Sequence, residues 1–426
     1  MMRQKADERE ARPVEIVVNR QRQAGPLARE LSAGARLARK FHAILPGSAP
    51  TPLVPLPGLA ARLGVRAIYV KDESQRFGLE AFKGLGSSWA VARVLGERLG
   101  LAPEKLTTEA LHQARTRLGE LTFVTATDGN HGRGLAWAAR LLGHRARVFM
   151  PKGAAAARVA AIRAQGAECV VTDLAYDDAV RHVAAHARET GALLVQDTAW
   201  EGYGKIPAWI MEGYGTLALE AAEQLAAAGP ERGKASSPSH VFLQAGVGSF
   251  AAAVLESLSL ALAESGAPQP AFVSVEPQAA DCVFRSVRAG DENPRACPGS
   301  LETLMAGLSC GEVSSLAWPI LRPGLAAACA VPDDLARLGM RLLARPEPGD
   351  PALISGESGA VGAGLLHWLM RPGPEDGTAA AKARALLKLG PESTILLVST
   401  EGATDRALWE AVTGCVPPTA GRNDPE

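Results

Sequence analysis

From about residue 67, short apolar runs rich in β-branched and aromatic residues alternate with Ala-rich stretches of helical spacing. The runs predict strands at 67–70 (AIYV), 121–126 (LTFVTA), 146–150 (ARVFM), 169–172, 193–196, 241–244, 271–275 and 394–399. The stretches between them predict helices over 84–99, 131–142, 155–165, 176–189 and 250–264. This alternation argues for parallel sheets with helices on both faces. Ligands of such folds bind beyond the carboxyl ends of the strands, so the residues just after each strand are the candidates for chemistry. Segments rich in Pro, Ser and Gly at 45–57, 229–239, 290–300 and 345–350 read as loops, and 228–239 as a surface linker. The last ten residues read as disordered. Residues 1–23 mix both charge signs without an apolar h-region, which fits a solvated tail rather than a secretory signal.

Composition narrows the function class. Lys+Arg and Asp+Glu are both 45, so no basic excess marks a nucleic-acid footprint. No membrane span is expected, because Gln244, Ser249 and Glu256 interrupt the most apolar stretch, 241–263. The six cysteines are scattered without a CxxC pair, as in a reducing, cytoplasmic compartment. Cys282 and Cys310 flank a loop-rich stretch, and spacing alone does not decide whether they meet. Gly is 44 of 426 residues, an excess that points to sharp turns or close backbone approaches.

Three post-strand segments stand out. Lys83 lies at a helix entrance among Phe82, Leu85 and Trp89, with Gly84 and Gly86 beside it. Desolvation there would lower the lysine pKa and suit a Schiff-base amine. Thr127-Asp128-Gly129-Asn130-His131-Gly132 opens the next helix, where backbone N–H groups favour an anion, although Asp128 also reads as a plain N-cap. Gly246-Val247-Gly248-Ser249-Phe250-Ala251 opens a third helix and suits a phosphate. It also satisfies the dinucleotide pattern G-x-G-x-x-[GA], with Glu276 as ribose acid, so an NAD-dependent oxidoreductase is a rival reading. Against it, Glu276 follows Gly246 by 30 residues where that fingerprint expects ~20. His182 and His186 lack the Glu of HExxH, and no metal site is read. Gly356-Glu357-Ser358-Gly359 is not a nucleophile elbow.

Lysine, Asn-containing loop, Gly-rich loop and a late polar turn, Ser399-Thr400-Glu401-Gly402, follow one another along the chain. That order resembles the fold type II, tryptophan synthase β-like family of pyridoxal-phosphate enzymes. The strings KDESQRFGLEAFK (71–83), TDGNHGRGLAWAA (127–139), MPKG (150–153), GAECVVTD (166–173), VQDTAWEGY (195–203), QAGVGS (244–249), ISGESGAVG (354–362) and STEG (399–402) resemble the diaminopropionate ammonia-lyases within it. The wider family has Ser-Gly-Asn where this chain has Thr127-Asp128-Gly129-Asn130, an added acid.

The resemblance implies an α/β fold of two domains with twisted, mostly parallel sheets flanked by helices. A large cofactor domain would span 35–87 and 206–414, a small substrate-side domain 88–205, and tails 1–34 and 415–426. It implies pyridoxal 5'-phosphate carried by Lys83, with Asn130 on the phenolic oxygen and Gly246, Val247, Gly248 and Ser249 around the phosphate. Ser399 or Thr400 would meet the ring nitrogen. Thr127, Asp128, Gly129, His131 and Asp197 would contact the substrate, and Glu357 and Ser358 would line the pocket. Asp128 and Asp197 would take the α-proton from the D- and L-isomer respectively. The implied enzyme is a homodimeric lyase of amino-acid catabolism, eliminating both amino groups of 2,3-diaminopropionate to give pyruvate and two ammonia. A threonine/serine dehydratase or a β-replacement enzyme of the same cofactor family is the nearer alternative.

Overall fold

The computed structural model describes residues 13–23, 31–228, 237–371 and 378–417. Residues 1–12, most of the 228–239 linker and all but the first of the last ten residues lie outside them. The strands are β1 (Glu15–Val18), β2 (Leu53–Pro55), β3 (Ala67–Asp72), β4 (Thr122–Ala126), β5 (Arg145–Met150), β6 (Glu168–Val171), β7 (Leu193–Leu194), β8 (His240–Gln244), β9 (Ala271–Pro277), β10 (Leu325–Val331) and β11 (Thr394–Ser399). They form two sheets, in the orders β1-β10-β9-β8-β11-β3-β2 and β6-β5-β4-β7. The smaller sheet is wholly parallel. In the larger one only the edge strands β1 and β2 run antiparallel. The central strands β8 and β11 are buried at every position, which explains their apolar middles, VFL and ILLV. None of the helices among the described residues is long and apolar enough to cross a membrane.

One expectation is corrected. Residues 15–18 are not a solvated tail: β1 pairs with β10 in the register Glu15↔Ala330 to Val18↔Ala327. The sequence LAAACAV of β10 carries few β-branched residues and no element is predicted over it, yet it is a buried strand between β1 and β9. Tertiary burial overrides its local preference. The long helix Lys205–Ala228, also unread in the sequence, packs against the helices Ser32–His42, Lys83–Leu99 and Ser249–Glu264.

Part of the glycine excess serves helix packing. A Cβ at Gly339 or Gly364 would collide with the backbone carbonyls of Ala360 and Leu335 respectively, so the helices Asp333–Ala344 and Glu357–Met370 touch main chain to main chain. A buried ionic cluster fixes the segment leading to Lys83. Lys71 Nζ lies 2.7 Å from Glu220 Oε2, and Arg76 binds Glu73 at 2.8 Å and Glu220 at 2.7 Å. Each cation there has a carboxylate partner, the condition for such charges to persist in a core.

Candidate active site

The carboxyl ends of β4, β5, β8 and β11 converge on one cleft of about 910 Å³ between the two sheets. Lys83, the first residue of the helix Lys83–Leu99, enters it from the large sheet. Asp197 enters from the small one. Lys83 Nζ lies 2.5 Å from Asp197 Oδ2. Burial lowers the Lys83 pKa, but the charge of Asp197, with Tyr214 and Asp128 behind it, outweighs burial and raises it. The depressed lysine expected from its apolar neighbours is thus corrected: the partner carboxylate reverses the sign. Asp197 is pushed up by burial and pulled down further by Lys83 and His131, to about 2. The two form a charged pair.

Asp197 takes its place because β7 stops early. Gln196 Oε1 accepts from Ala126 N at 3.0 Å and from Thr125 Oγ1 at 2.9 Å, so its side chain replaces a further ladder bond and turns the chain toward the cleft. His131 stands behind Asp197. Its Nε2 is 2.8 Å from Val195 O, a carbonyl that only an N–H can satisfy, which leaves Nδ1 as the acceptor facing Ser87 at 3.4 Å. Burial lowers the His131 pKa and keeps it neutral.

The Gly-rich segment forms a cradle. Gly248 has φ +88° and precedes the helix Ser249–Glu264. A Cβ there would lie 2.8 Å from Leu321 Cδ1, and one at Gly246 would lie 3.1 Å from Cys310 Sγ. Among the described residues, none of the N–H groups of Gly246, Val247, Gly248 or Ser249 donates to a loop carbonyl or a side chain. They are free for an anion at a helix N-terminus. Glu276, the acid required by the dinucleotide reading, is fully buried and accepts from Val283 N and Phe284 N at 2.7 and 2.6 Å. It caps a helix and faces no cofactor.

A model of the family described as pyridoxal-phosphate dependent enzyme matches residues 44–373. The chain belongs to that family. Its likeness to the diaminopropionate ammonia-lyases is close. It is 48% identical over 383 residues to the Escherichia coli (strain K12) diaminopropionate ammonia-lyase, covering 88% of this chain and 91% of that one. Two crystal structures of the Escherichia coli enzyme superpose over 94% of this chain and 97% of theirs at 44% identity. The complex with an aminoacrylate-PLP azomethine reaction intermediate gives a TM-score of 0.83, and the complex with D-serine gives 0.85. The fold is that of the fold type II pyridoxal-phosphate enzymes.

The residues present fit this family's cofactor. An amine at a helix start, a ring of unused N–H groups and two buried polar atoms without partners, Ser358 Oγ and Gln244 Oε1, belong to residues lining the one cleft. Thr400 also lines it, whereas Ser399 is buried and donates to Ser355 Oγ at 2.8 Å.

Several expected residues are placed otherwise. Thr127 Oγ1 accepts from Gly129 N at 3.0 Å and Gly132 N at 3.2 Å, so it braces the loop from behind the cleft wall. Gly129 and His131 likewise stand outside the lining, while Asp128 and Asn130 belong to it. Asn130 Nδ2 donates to Glu401 Oε2 at 2.5 Å, because that carboxylate meets it from the end of β11. Ser249 Oγ donates to Asp197 O at 2.9 Å and so ties the cradle to the loop that carries Asp197. Glu357 lines the cleft and is paired with Arg158; burial and the Glu401 charge push its pKa up while Arg158 opposes them. Arg158, Glu401, Tyr176 and Tyr214 carry no assignment from the sequence. Arg158 is unmarked within an Ala-rich helix, and Glu401 was visible only as part of the STEG string. Cys282 and Cys310 are free thiols on either side of Gly246.

Proposed function

We propose that this protein is a diaminopropionate ammonia-lyase that removes both amino groups of 2,3-diaminopropionate, from the D- and the L-isomer, to give pyruvate and two ammonia. The observation that carries the reading is the Lys83–Asp197 pair at 2.5 Å with a second carboxylate, Asp128, lining the same cleft. Pyridoxal phosphate, when bound, supplies the electron sink that makes the substrate α-proton removable. Lys83 would hold it through Nζ, the N–H groups of 246–249 would hold its phosphate, and Thr400, which lines the cleft where Ser399 does not, would meet its ring nitrogen.

Asp197 would take the α-proton of the L-isomer at a carboxylate oxygen, and Asp128 that of the D-isomer. A general base must be ionised and within hydrogen-bond reach. While the Lys83 ammonium sits on Asp197 the carboxylate is a poor base. Once Lys83 loses that charge, burial raises the Asp197 pKa and strengthens it. The proton that Asp197 takes can pass to the neutral Lys83 amine beside it, and the resulting ammonium can give it to the leaving β-amine as the Cβ–N bond breaks; water then releases the second ammonia. The added acid Asp128 distinguishes this reading from a hydroxyl-eliminating dehydratase.

The division into a large unit (35–87 and 206–414) and a small unit (88–205) is part of the same proposal. It is supported by the two sheets, with β4 to β7 falling inside the small one. A homodimer follows from the resemblance, and a cytoplasmic location is supported by six free thiols. The reading is tested by comparing leaving groups. The cofactor-loaded protein should release pyruvate far faster from 2,3-diaminopropionate than from serine or threonine; the reverse order would assign a dehydratase.

A further inference from the structure

The Asp128 carboxylate has few contacts of its own. It belongs to the loop after β4, its side chain is 25% exposed, and among the described residues it accepts no hydrogen bond. Its neighbour Gly129 has φ +153°, a conformation that suits glycine, and Thr127 braces the loop backbone there without touching the Asp128 carboxylate. A general base whose carboxylate accepts no hydrogen bond needs something to aim it.

Arg158 occupies the position to do so. It lies on the helix Ala156–Arg163 and is buried to 8% exposure. Its methylene stem lies against Gly129, where an added Cβ would come within 3.0 Å of Arg158 Cδ. Its guanidinium reaches two carboxylates. One nitrogen is 3.9 Å from Asp128 Oδ2, and another donates to Glu357 Oε1 at the start of the helix Glu357–Met370. Among the described residues no other cation lies within 4.0 Å of the Asp128 carboxylate. Glu357 is 2% exposed and fixed to the large-sheet side, so it holds the head of Arg158 still. The stem and head of one side chain thus restrain both the loop and the carboxylate it carries.

We infer that Arg158 is a positioning residue for Asp128: anchored by Glu357, it aims the Asp128 carboxylate at the substrate and thereby sets activity on the D-isomer, while leaving the Asp197 side of the cleft alone. The inference rests on the assignment of Asp128 proposed above. It differs from a role as anchor for the substrate carboxylate, which would require Arg158 to release a carboxylate it already holds and would affect both isomers alike.

The test measures kcat and KM for pyruvate release from D- and L-2,3-diaminopropionate separately, in cofactor-loaded wild type, Arg158→Gln, Arg158→Lys and Glu357→Gln. In Arg158→Gln, kcat on the D-isomer should fall at least about tenfold, toward the ~100-fold cost of a small misplacement, with L-isomer kcat within about threefold of wild type. KM should move little for either isomer. Arg158→Lys keeps a charge and a stem and should recover part of the D-isomer rate. Glu357→Gln should lower the D-isomer rate in the same direction by a smaller factor. If Arg158→Gln does not accumulate as cofactor-loaded protein, Arg158→Lys is read instead, with a smaller D-selective loss expected. Equal loss on both isomers, a rise in KM for both, or no change on the D-isomer overturns the inference. Wild type that releases pyruvate from neither isomer overturns the underlying reaction, and wild type inert on the D-isomer alone overturns the role of Asp128; both are read before any variant.

Discussion

Lys83 Nζ and Asp197 Oδ2 stand 2.5 Å apart, each nearly enclosed, one from either side of the cleft. The lysine's pKa is raised by this partner and the aspartate's is lowered to about 2. Each is therefore the chief source of the other's charge. Removing the Lys83 charge leaves burial as the dominant influence on Asp197, and burial acts upward. In Lys83→Ala, the Asp197 carboxyl, followed by its infrared band, should titrate at a higher pH than in wild type, and that titration should vanish in the Lys83→Ala/Asp197→Asn double variant. The same single variant should lose the visible absorbance of the lysine-linked cofactor. A retained, reducible linkage at another lysine would refute the role of Lys83.

On the proposed assignment, the two aspartates separate the isomers. Asp197→Asn should abolish turnover of L-2,3-diaminopropionate, by at least about 100-fold in kcat, and spare the D-isomer. The check is pyruvate release from each isomer with the variant's cofactor content matched to wild type. Equal loss on both would mean that one acid serves both faces.

The loop proposed to hold the phosphate depends on Gly248. With φ +88° and Leu321 Cδ1 2.8 Å from the place of a Cβ, alanine there must adopt a left-handed backbone and displace Leu321. The left-handed conformation alone costs about 1–2 kcal/mol for an L-residue. Gly248→Ala should lower the melting temperature and weaken cofactor binding, as measured by equilibrium dialysis. Unchanged affinity would remove the loop from the phosphate site.

Acid sensitivity should arise partly at His42, which joins the helices Ser32–His42, Lys83–Leu99 and Lys205–Ala228. Its ring nitrogens meet Thr216 Oγ1 at 2.8 Å and Leu85 O at 2.9 Å. Burial, aided by Arg76, lowers its pKa from 6.5 to about 3. The unfolded chain therefore binds this proton first. The His42 contribution is complete above pH 6.5 and is lost as pH falls toward 3. Denaturant melts of wild type and His42→Gln across that range should show a shallower pH slope in the variant. Identical slopes would assign the acid sensitivity elsewhere.

Much of the parallel architecture was legible, because β4, β5, β8, β9 and β11 are apolar runs that their buried positions require. β10 and the edge strand β1 were not: Ala-rich or four-residue segments become strands only through their neighbours. The site followed the same division. Lys83, Asp128 and Asp197 stood in long specific strings. The sign of the Lys83 shift was missed, since desolvation can be read from adjacent residues but a partner 114 positions away cannot. Arg158, Asn130's partner Glu401 and the inward turn of Thr127 likewise depend on contacts across the cleft.

The central claim is that one lysine and two aspartates run the same elimination on both faces of the substrate. The most direct measurement is pyruvate release by the cofactor-loaded wild-type protein from D- and L-2,3-diaminopropionate, assayed separately. The account predicts release from both isomers, with two ammonia per pyruvate. Release from neither isomer, by protein that binds the cofactor, would contradict it.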